Sequence, residues 1–319
     1  MNVVTLGTDM LPFNSNSAVT VGTFDGVHLG HQSIISRMHR WAADKNGRLV
    51  VVTFEPHPQI VLQKPGKAPV QLLTTLSERL RLLEQYQVHT VIVIPFSIQF
   101  AATPPMEFVQ NVLVNGIGVS RMFVGHDHMF GKDRQGNEEL LEKLGAELNF
   151  DVEPVPAFEL DGVVVSSTKI RNALAQGNVT EAEIWLGRPY SLSGTVVHGD
   201  GRGSGIGFPT ANIQVNHSNK LVPNSGVYAV TAQVDSMQFK AVANLGFRPT
   251  FGDNGHHAIE VHLLDITENL YDREITIQFL QRLRPEVKFD SVNSLVAQIQ
   301  TDIKQTQTYF QTHNVRISL

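Results

Sequence analysis

Apolar runs and helical spacing alternate along the first half of the chain. Short apolar runs, mostly of β-branched residues, predict buried strands, and segments with helical periodicity lie between them. The strands are predicted at residues 19–23, 49–54, 90–95, 121–125 and 150–155, and the helices at residues 32–45, 76–85, 105–114, 138–148, 167–175 and 180–186. This alternation predicts an α/β fold, a Rossmann-like parallel sheet with helices on both faces.

The pattern changes after Leu186, where Gly187-Arg188-Pro189 forms a turn sequence. Beyond it, short strands are separated by turns rich in Gly, Pro and Asn, which predicts an antiparallel β-barrel. The strands are predicted at residues 192–198, 226–233, 239–244, 258–264 and 274–283, and an amphipathic helix at residues 289–310 closes the barrel. We therefore predict two domains, residues 1–186 and residues 187–319.

Composition narrows the class of protein. Hydrophobic residues make up 42% of the 319 residues and charged residues 17%, which predicts folded cores. The formal net charge of −5 argues against a nucleic-acid partner, and the lack of cysteine excludes disulfides and thiolate metal sites. The sequence shows neither a leader pattern nor an apolar run near the ~18 residues of a membrane span, so we expect a cytoplasmic protein without a membrane partner.

Two histidines stand between a predicted strand and a predicted helix, in the motif Val-Gly-Thr-Phe-Asp-Gly-Val-His-Leu-Gly-His at residues 21–31. Helix N-termini attract phosphate, and open α/β sheets bind ligands at the carboxyl ends of their strands. Imidazoles at that place can stabilise charge that develops on a triphosphate, so His28 and His31 are candidate phosphate-binding residues. The alternative is a pair of surface histidines that cap a helix.

A second polar motif, Ser-Ser-Thr-Lys-Ile-Arg at residues 166–171, opens another predicted helix. Its hydroxyl groups and guanidinium can donate to phosphate oxygens, although a serine there can also be a simple helix cap. His-x-Gly-His together with Ser-Ser-Thr-x-x-Arg resembles the nucleotidylyltransferase superfamily. The resemblance implies that ATP binds at the sheet edge, that its α-phosphate is attacked, and that pyrophosphate leaves.

A third motif, at residues 199–212, reads Gly-Asp-Gly-Arg-Gly-Ser-Gly-Ile-Gly-Phe-Pro-Thr-Ala-Asn. Alternating glycines allow close approach of the backbone to a ligand and can direct N–H groups at phosphate, whereas the alternative is a flexible loop. Thr210 and Asn212 point to one side of a strand, and a hydroxyl and an amide oxygen are suitable ligands for Mg²⁺.

These motifs occur in one order with others at residues 53–58, 124–131, 223–228, 244–250, 260–265 and 284–289. Together they resemble the bacterial bifunctional riboflavin kinase/FMN adenylyltransferases, or FAD synthetases, over essentially the whole chain. The resemblance implies a six-stranded barrel with a closing helix in the second half. It also implies that riboflavin and ATP give FMN and ADP there, that FMN and ATP give FAD and pyrophosphate in the first half, and that both steps need Mg²⁺.

The resemblance implies two sets of site residues. In the adenylyltransferase half, the implied catalytic residues are His28, His31 and Arg171. The implied ATP-binding residues are Gly22, Phe24, Asp25, Gly30, Ser167 and Thr168. The implied flavin-binding residues are Pro56, Pro58 and Asp127. In the kinase half, Glu260 is the base, ATP is bound by Gly203, Gly205, Gly207, Thr210 and Asn212, the metal by Thr210 and Asn212, and the flavin by Arg284 and Glu286. The residues alone do not assign Glu260, since a single glutamate on a strand is usually solvated.

Two positions depart from the family pattern, His128 where Phe is expected and Asp272 where Gly is expected. Because of these departures, the alternative that only one of the two activities is present stays open. Two further alternatives are a flavin-binding regulator without turnover and an RNA-related role, since the first half also resembles synthetase cores. An oligomer is compatible with every one of these hypotheses.

Overall fold

The computed structural model describes residues 1–63, 66, 68–126, 130–131, 136–199, 202–248, 256–264 and 269–313, without the side chains of residues 202, 204, 247, 248, 256 and 257. Two predicted features therefore lie outside the described residues, the flavin contact of Asp127 and the departure at His128. The chain divides into two compact units, Met1–Ser167 and Thr168–Leu319.

The first unit contains a six-stranded parallel sheet with the strand order β1-β4-β3-β2-β5-β6. Its strands are β1 (Asn2–Thr5), β2 (Ser17–Val21), β3 (Arg48–Glu55), β4 (Thr90–Pro95), β5 (Val119–Gly125) and β6 (Asp151–Val155). A two-stranded ribbon follows, β7 (Glu159–Leu160) and β8 (Val163–Val164). The strand order runs in both directions away from β2, which marks the carboxyl end of β2 as the place where an α/β sheet opens a ligand crevice.

Helices cover both faces of this sheet. They are α1 (Leu29–Lys45), α2 (Pro58–Val61), α3 (Leu76–Gln85), α4 (Ile98–Ala101), α5 (Pro105–Phe108), a π-helix (Val109–Ile117) and α6 (Glu138–Leu148). Successive strand residues point to opposite faces, so Val50 and Val52 pack toward the π-helix and α6, whereas Leu49 and Val51 pack toward α1 and α3. The doubly covered parallel sheet predicted from the alternating pattern is confirmed.

The second unit contains a closed antiparallel barrel with the strand order β10-β13-β12-β11-β14-β9. Its strands are β9 (Tyr190–Val197), β10 (Ala211–Val215), β11 (Gly226–Val234), β12 (Met237–Arg248), β13 (His256–Leu263) and β14 (Glu274–Arg284). Its helices are α7 (Ser167–Ala175, which begins at the last residue of the first unit), α8 (Val179–Leu186), α9 (Arg202–Gly205) and α10 (Val292–Thr312). The predicted six-stranded barrel and closing helix are confirmed.

Several short elements, such as α2, α4, α9 and β7, were not predicted, and two further differences have a clear cause. Strand β1 was not predicted, because it has four residues and only one neighbour, β4. The segment predicted as one helix over residues 105–114 is an α-helical turn that continues as a π-helix to Ile117. Neither difference changes the predicted architecture.

Candidate active sites

The first candidate site lies in the turn between β2 and α1, at the carboxyl end of β2. His28 is the N-cap residue of α1, and His31 lies in the first turn of that helix. Their imidazole rings stack with the centroids 3.8 Å apart, and the Phe24 ring stacks on His31 at 4.7 Å. The structure therefore brings both predicted histidines together at a helix N-terminus.

His28 does not behave as a surface helix cap. Its side chain is only 7% exposed and makes no capping hydrogen bond. A methyl group on Gly30 would lie 3.0 Å from Cε1 of His28, so the glycine leaves just enough room for the ring. The alternative of two solvated histidines that cap a helix does not describe this arrangement.

The turn that carries His28 has an unusual backbone. Phe24 and Val27 have positive φ angles of 50° and 39°, and Gly26 has one of 83°. Such angles strain a β-branched residue like Val27 and persist only where the surroundings enforce them. Here the Gly26 amide donates to Oγ1 of Thr74 at 2.9 Å, and the side-chain amide of Gln32 donates to the Val27 carbonyl at 2.9 Å.

Asp25 anchors this turn to the segment before α3. Its side chain is 1% exposed, and its carboxylate accepts hydrogen bonds from the backbone amides of Leu73 at 3.0 Å and Thr74 at 2.8 Å. The Ser167 hydroxyl donates to the Asp25 carbonyl at 3.0 Å. The structure thus gives Asp25 and Ser167 a role in shaping the turn, and their contacts with ATP stay predictions.

Arg79, on α3, was not singled out by the sequence. Its buried guanidinium donates to the Thr23 carbonyl, to Oγ1 of Thr53 at 3.1 Å and to the carboxylate of Glu55 at 2.9 Å. Burial lowers the pKa of Arg79, and the carboxylates of Glu55 and Asp25 oppose that shift. Arg79 therefore joins the turn after β2 to the end of β3.

The predicted flavin segment of this half follows β3. Pro56 is exposed, Pro58 is the first residue of α2, and Nδ1 of the buried His57 accepts a hydrogen bond from the Gln59 amide at 3.1 Å. A chain of aromatic rings lies beside this segment, with centroids 5.6 to 6.3 Å apart: Phe54, Phe96, Phe100, Phe108 and Phe130. The rings come from separate segments of the chain, among them β3, α4 and α5, so their cluster is visible only in the fold.

Thr168 and Arg171 lie on α7 in the second unit. Thr168 is exposed and Arg171 is half-buried. Their predicted position beside the imidazoles of the first unit stays a prediction.

The second candidate site lies on the barrel and is set by strand register. Asn212 on β10 pairs with Glu260 on β13, and Glu260 pairs with Asn244 on β12. The residues that flank Asn212 and Glu260 in sequence are buried in the barrel, whereas these two are half-buried on the outer face. The predicted metal ligand and the predicted base are therefore cross-strand neighbours on one face.

The glycine-rich segment covers these strands. A Cβ atom on Gly199 would collide with the Asn212 side chain, and one on Gly203 would lie 3.3 Å from Oγ1 of Thr210. Gly207 has a φ of 87°, which favours glycine, and open space surrounds Gly205. The glycine-rich segment thus lies directly against Thr210 and Asn212, and its contact with phosphate stays a prediction.

The predicted flavin residues of the barrel lie next to α10. The Arg284 guanidinium forms a bidentate ion pair with the buried Asp302, with nitrogen–oxygen distances of 2.8 to 3.1 Å. The Glu286 carboxylate lies against β12, because a Cβ on Gly246 would be 2.8 Å from its Oε1. Arg284 therefore fixes the segment that presents Glu286.

Within the described residues, no group of three or more His, Asp or Glu side chains is gathered closely enough to hold a metal ion. The same part of the chain contains no helix that is both long and apolar enough to cross a membrane.

Comparison with known proteins shows the family of each part of the chain. The family model of FAD synthetase matches residues 11–169, and that of riboflavin kinase matches residues 186–310. The bifunctional riboflavin kinase/FMN adenylyltransferase of Pseudomonas fluorescens is 39% identical over 295 residues, which cover 92% of this chain and 93% of the relative. The bifunctional riboflavin kinase/FMN adenylyltransferase of Escherichia coli K12 is 39% identical over 293 residues, which cover 92% of this chain and 92% of the relative.

A solved structure also matches along the chain. The structure titled as a macrolide-efflux protein from Streptococcus pneumoniae has a TM-score of 0.88 and 32% identity, and the match covers 96% of this chain and 99% of that one. The two family models match the α/β sheet and the barrel in turn, and together they define a two-part transferase. The chain belongs to the family of bifunctional riboflavin kinases/FMN adenylyltransferases, so the predicted family and enzyme class are confirmed.

Proposed function

We propose that the side chains described above carry the two reactions of this family on separate sites. The chain phosphorylates riboflavin to FMN and then adenylylates FMN to FAD. The observation that carries the residue assignment is the pairing of Asn212 with Glu260 on the face covered by the glycine-rich segment. A second, independent support is the stacked pair of His28 and His31 at the N-terminus of α1.

In the kinase reaction, Glu260 accepts the proton of the riboflavin 5′-hydroxyl. The hydroxyl oxygen then bonds to the γ-phosphorus of ATP, the bond to the β-phosphate oxygen breaks, and ADP leaves. The backbone N–H groups near Gly203, Gly205 and Gly207 face the phosphates, and Arg284 and Glu286 hold the flavin end. General-base assistance of this kind contributes about 10²–10⁴ in rate.

The barrel residues fit a bound Mg²⁺ ion. Thr210 and Asn212 offer a hydroxyl and an amide oxygen, both neutral and hard donors, directly beneath the glycine-rich segment. Two protein ligands suit Mg²⁺, which takes its remaining ligands from phosphates and water. When bound there, the ion supplies positive charge that screens the transferring phosphoryl group.

In the adenylyltransferase reaction, a phosphate oxygen of FMN bonds to the α-phosphorus of ATP and the bond to pyrophosphate breaks. His28 and His31 donate to the phosphate oxygens as charge builds on them, with help from the N-terminus of α1. Gly22 and Gly30 allow ATP to approach the backbone closely, and Ser167, Thr168 and Arg171 clamp the ATP phosphates. The aromatic rings near Phe54 and the prolines at 56 and 58 form the apolar wall that a flavin ring needs.

The partners that follow are small molecules, namely riboflavin, FMN, FAD, ATP, ADP and pyrophosphate. We expect the chain to act in the cytoplasm. We also expect no nucleic-acid partner, since the formal net charge of the chain is −5.

One time course tests the assignment. The chain is incubated with riboflavin and Mg-ATP, and FMN and FAD are separated chromatographically. We expect FMN to rise first and FAD to follow. Glu260→Gln keeps the size of the side chain but removes the proton acceptor, so FMN formation falls by about 10²–10⁴ while FAD formation from supplied FMN is unchanged.

Equal loss of both activities in Glu260→Gln would indicate misfolding, and full kinase activity would show that Glu260 is not the base. The single-site, regulator and RNA-related alternatives are also distinguished, because they give one product or none.

A further inference from the structure

Asn244 lies beside the proposed base of the barrel site, and neither proposed reaction assigns it a role. In the register of the barrel, Val227, Asn244, Glu260 and Asn212 are consecutive cross-strand partners on β11, β12, β13 and β10. Directly opposed residues on neighbouring strands have their Cβ atoms about 4.5–5.5 Å apart. Glu260 therefore stands between two asparagines, of which Asn212 lies against Gly199 of the glycine-rich segment.

Asn244 shares the outer face of the barrel with Glu260. Its sequence neighbours Ala243 and Leu245 are fully buried, whereas Asn244 itself is half-buried. Alternation along β12 puts Gly246 on the same face, two residues further on. Gly246 is the residue against which the Glu286 carboxylate lies.

Asn244 therefore lies between the proposed base and the proposed flavin segment. On one side is Glu260, where the 5′-hydroxyl of riboflavin must be placed for proton transfer. On the other side, along β12, is Glu286 in the segment that Arg284 ties to α10. The part of riboflavin between its 5′-hydroxyl and its ring is the ribityl chain, which bears further hydroxyl groups.

We propose that the carboxamide of Asn244 hydrogen-bonds the ribityl chain and selects flavins that carry a polyhydroxylated chain. An amide has both donors and an acceptor, so it can donate to one hydroxyl and accept from the next. This contact makes Asn244 a substrate-specificity residue of the kinase site. The inference rests on the proposed role of Glu260 as the base.

The test compares two ligands of the kinase site in Asn244→Ala. Riboflavin is the substrate, and lumiflavin, which has the ring system without the ribityl chain, is used as a competitive inhibitor of riboflavin phosphorylation. Loss of a neutral hydrogen bond predicts a KM for riboflavin that is about three- to tenfold higher, with kcat nearly unchanged. The inhibition constant of lumiflavin stays the same, and Asn244→Ser, which keeps a hydroxyl, falls between wild type and alanine.

Gln238→Ala is the matched control, since Gln238 is another amide on the same strand and, by alternation, on the same face. It lies six residues away and bonds Gln278 at 3.4 Å. We expect Gln238→Ala to change neither the KM for riboflavin nor the inhibition constant of lumiflavin.

A riboflavin KM unchanged in Asn244→Ala would overturn the inference while leaving the proposed function intact. Equal weakening of riboflavin and lumiflavin would also overturn it, because the effect would then lie on the ring or the fold. Absence of FMN formation by the unaltered chain would overturn the proposed function together with this inference.

Discussion

The two units place their polar groups by different means. In the first unit, His28 stands on a strained turn whose shape depends on buried side chains from α3 and the segment before it. In the second unit, Asn212, Glu260 and Asn244 stand on paired strands, and ladder hydrogen bonds fix their spacing. The first site should therefore be sensitive to substitutions far from the substrate, whereas the second should respond mainly to residues within the cross-strand row.

The largest effect is expected from replacing both histidines of the first site. His28→Ala with His31→Ala should abolish FAD formation, because each lost phosphate donor typically costs about 10²–10³ in rate. FMN formation by the same preparation is the internal control and should stay nearly intact. Normal FAD synthesis from supplied FMN would remove the histidines from the mechanism.

Arg79→Ala tests whether the first site depends on residues that do not contact the substrate, since Arg79 supports the turn after β2 from within the fold. We expect FAD formation to fall about 10²-fold, because a displacement of about 1 Å in a catalytic group can cost that much. The fall should appear mainly in kcat, and Arg79→Lys should restore part of it. The matched control is Arg81→Ala, an exposed arginine on the same helix.

A loss confined to the thermal stability of Arg79→Ala, with FAD turnover unchanged in the folded protein, would contradict the positioning role. FMN formation, measured in parallel, shows whether the barrel is affected.

The predicted domain boundary can be tested with two fragments. Asn224 donates from its amide to the Leu174 carbonyl at 3.0 Å, and Arg282 donates to the Gln176 carbonyl at 3.2 Å, so α7 is bonded to the barrel segments. A fragment of residues 187–319 lacks these contacts and the buried Ile170 and Leu174. We expect both this fragment and residues 168–319 to make FMN but no FAD.

The longer fragment should be more stable by about 2 kcal/mol or more, given the apolar side chains that α7 and α8 bury. Urea unfolding of the two fragments measures the difference. Equal stability would support a boundary near residue 187, whereas an insoluble longer fragment would show that the two units share a core.

The smallest effect is expected at Asp272, where the resemblance to the family led us to expect Gly. Its φ of 63° lies in the left-handed region, which aspartate tolerates far better than a β-branched residue does. Asp272→Gly should leave the free energy of unfolding within about 0.5 kcal/mol, whereas Asp272→Val should lower it by about 1–2 kcal/mol. A large gain from glycine would show that the departure from the family pattern is costly.

Periodicity alone predicted most of the architecture, because buried strands and amphipathic helices leave regular patterns. The short edge strand β1 escaped because four residues carry too little pattern. The role of Arg79 was not predicted because one arginine in an amphipathic helix is usually solvated. Its burial depends on the ends of β2 and β3 lying side by side, which the sequence of α3 does not reveal. Asn244 escaped because its neighbours are set by strand register, which the sequence of β12 does not reveal.

The most direct test that the two sites are independent mixes two variants, each of which lacks one of the two activities. The His28→Ala/His31→Ala chain should make FMN only, and Glu260→Gln should make FAD only when FMN is supplied. Each variant alone, given riboflavin and Mg-ATP, should form almost no FAD. We predict that an equimolar mixture converts riboflavin to FAD, because FMN made by one chain is a substrate for the other. Failure of the mixture, with both single activities present, would contradict the separation of the two sites.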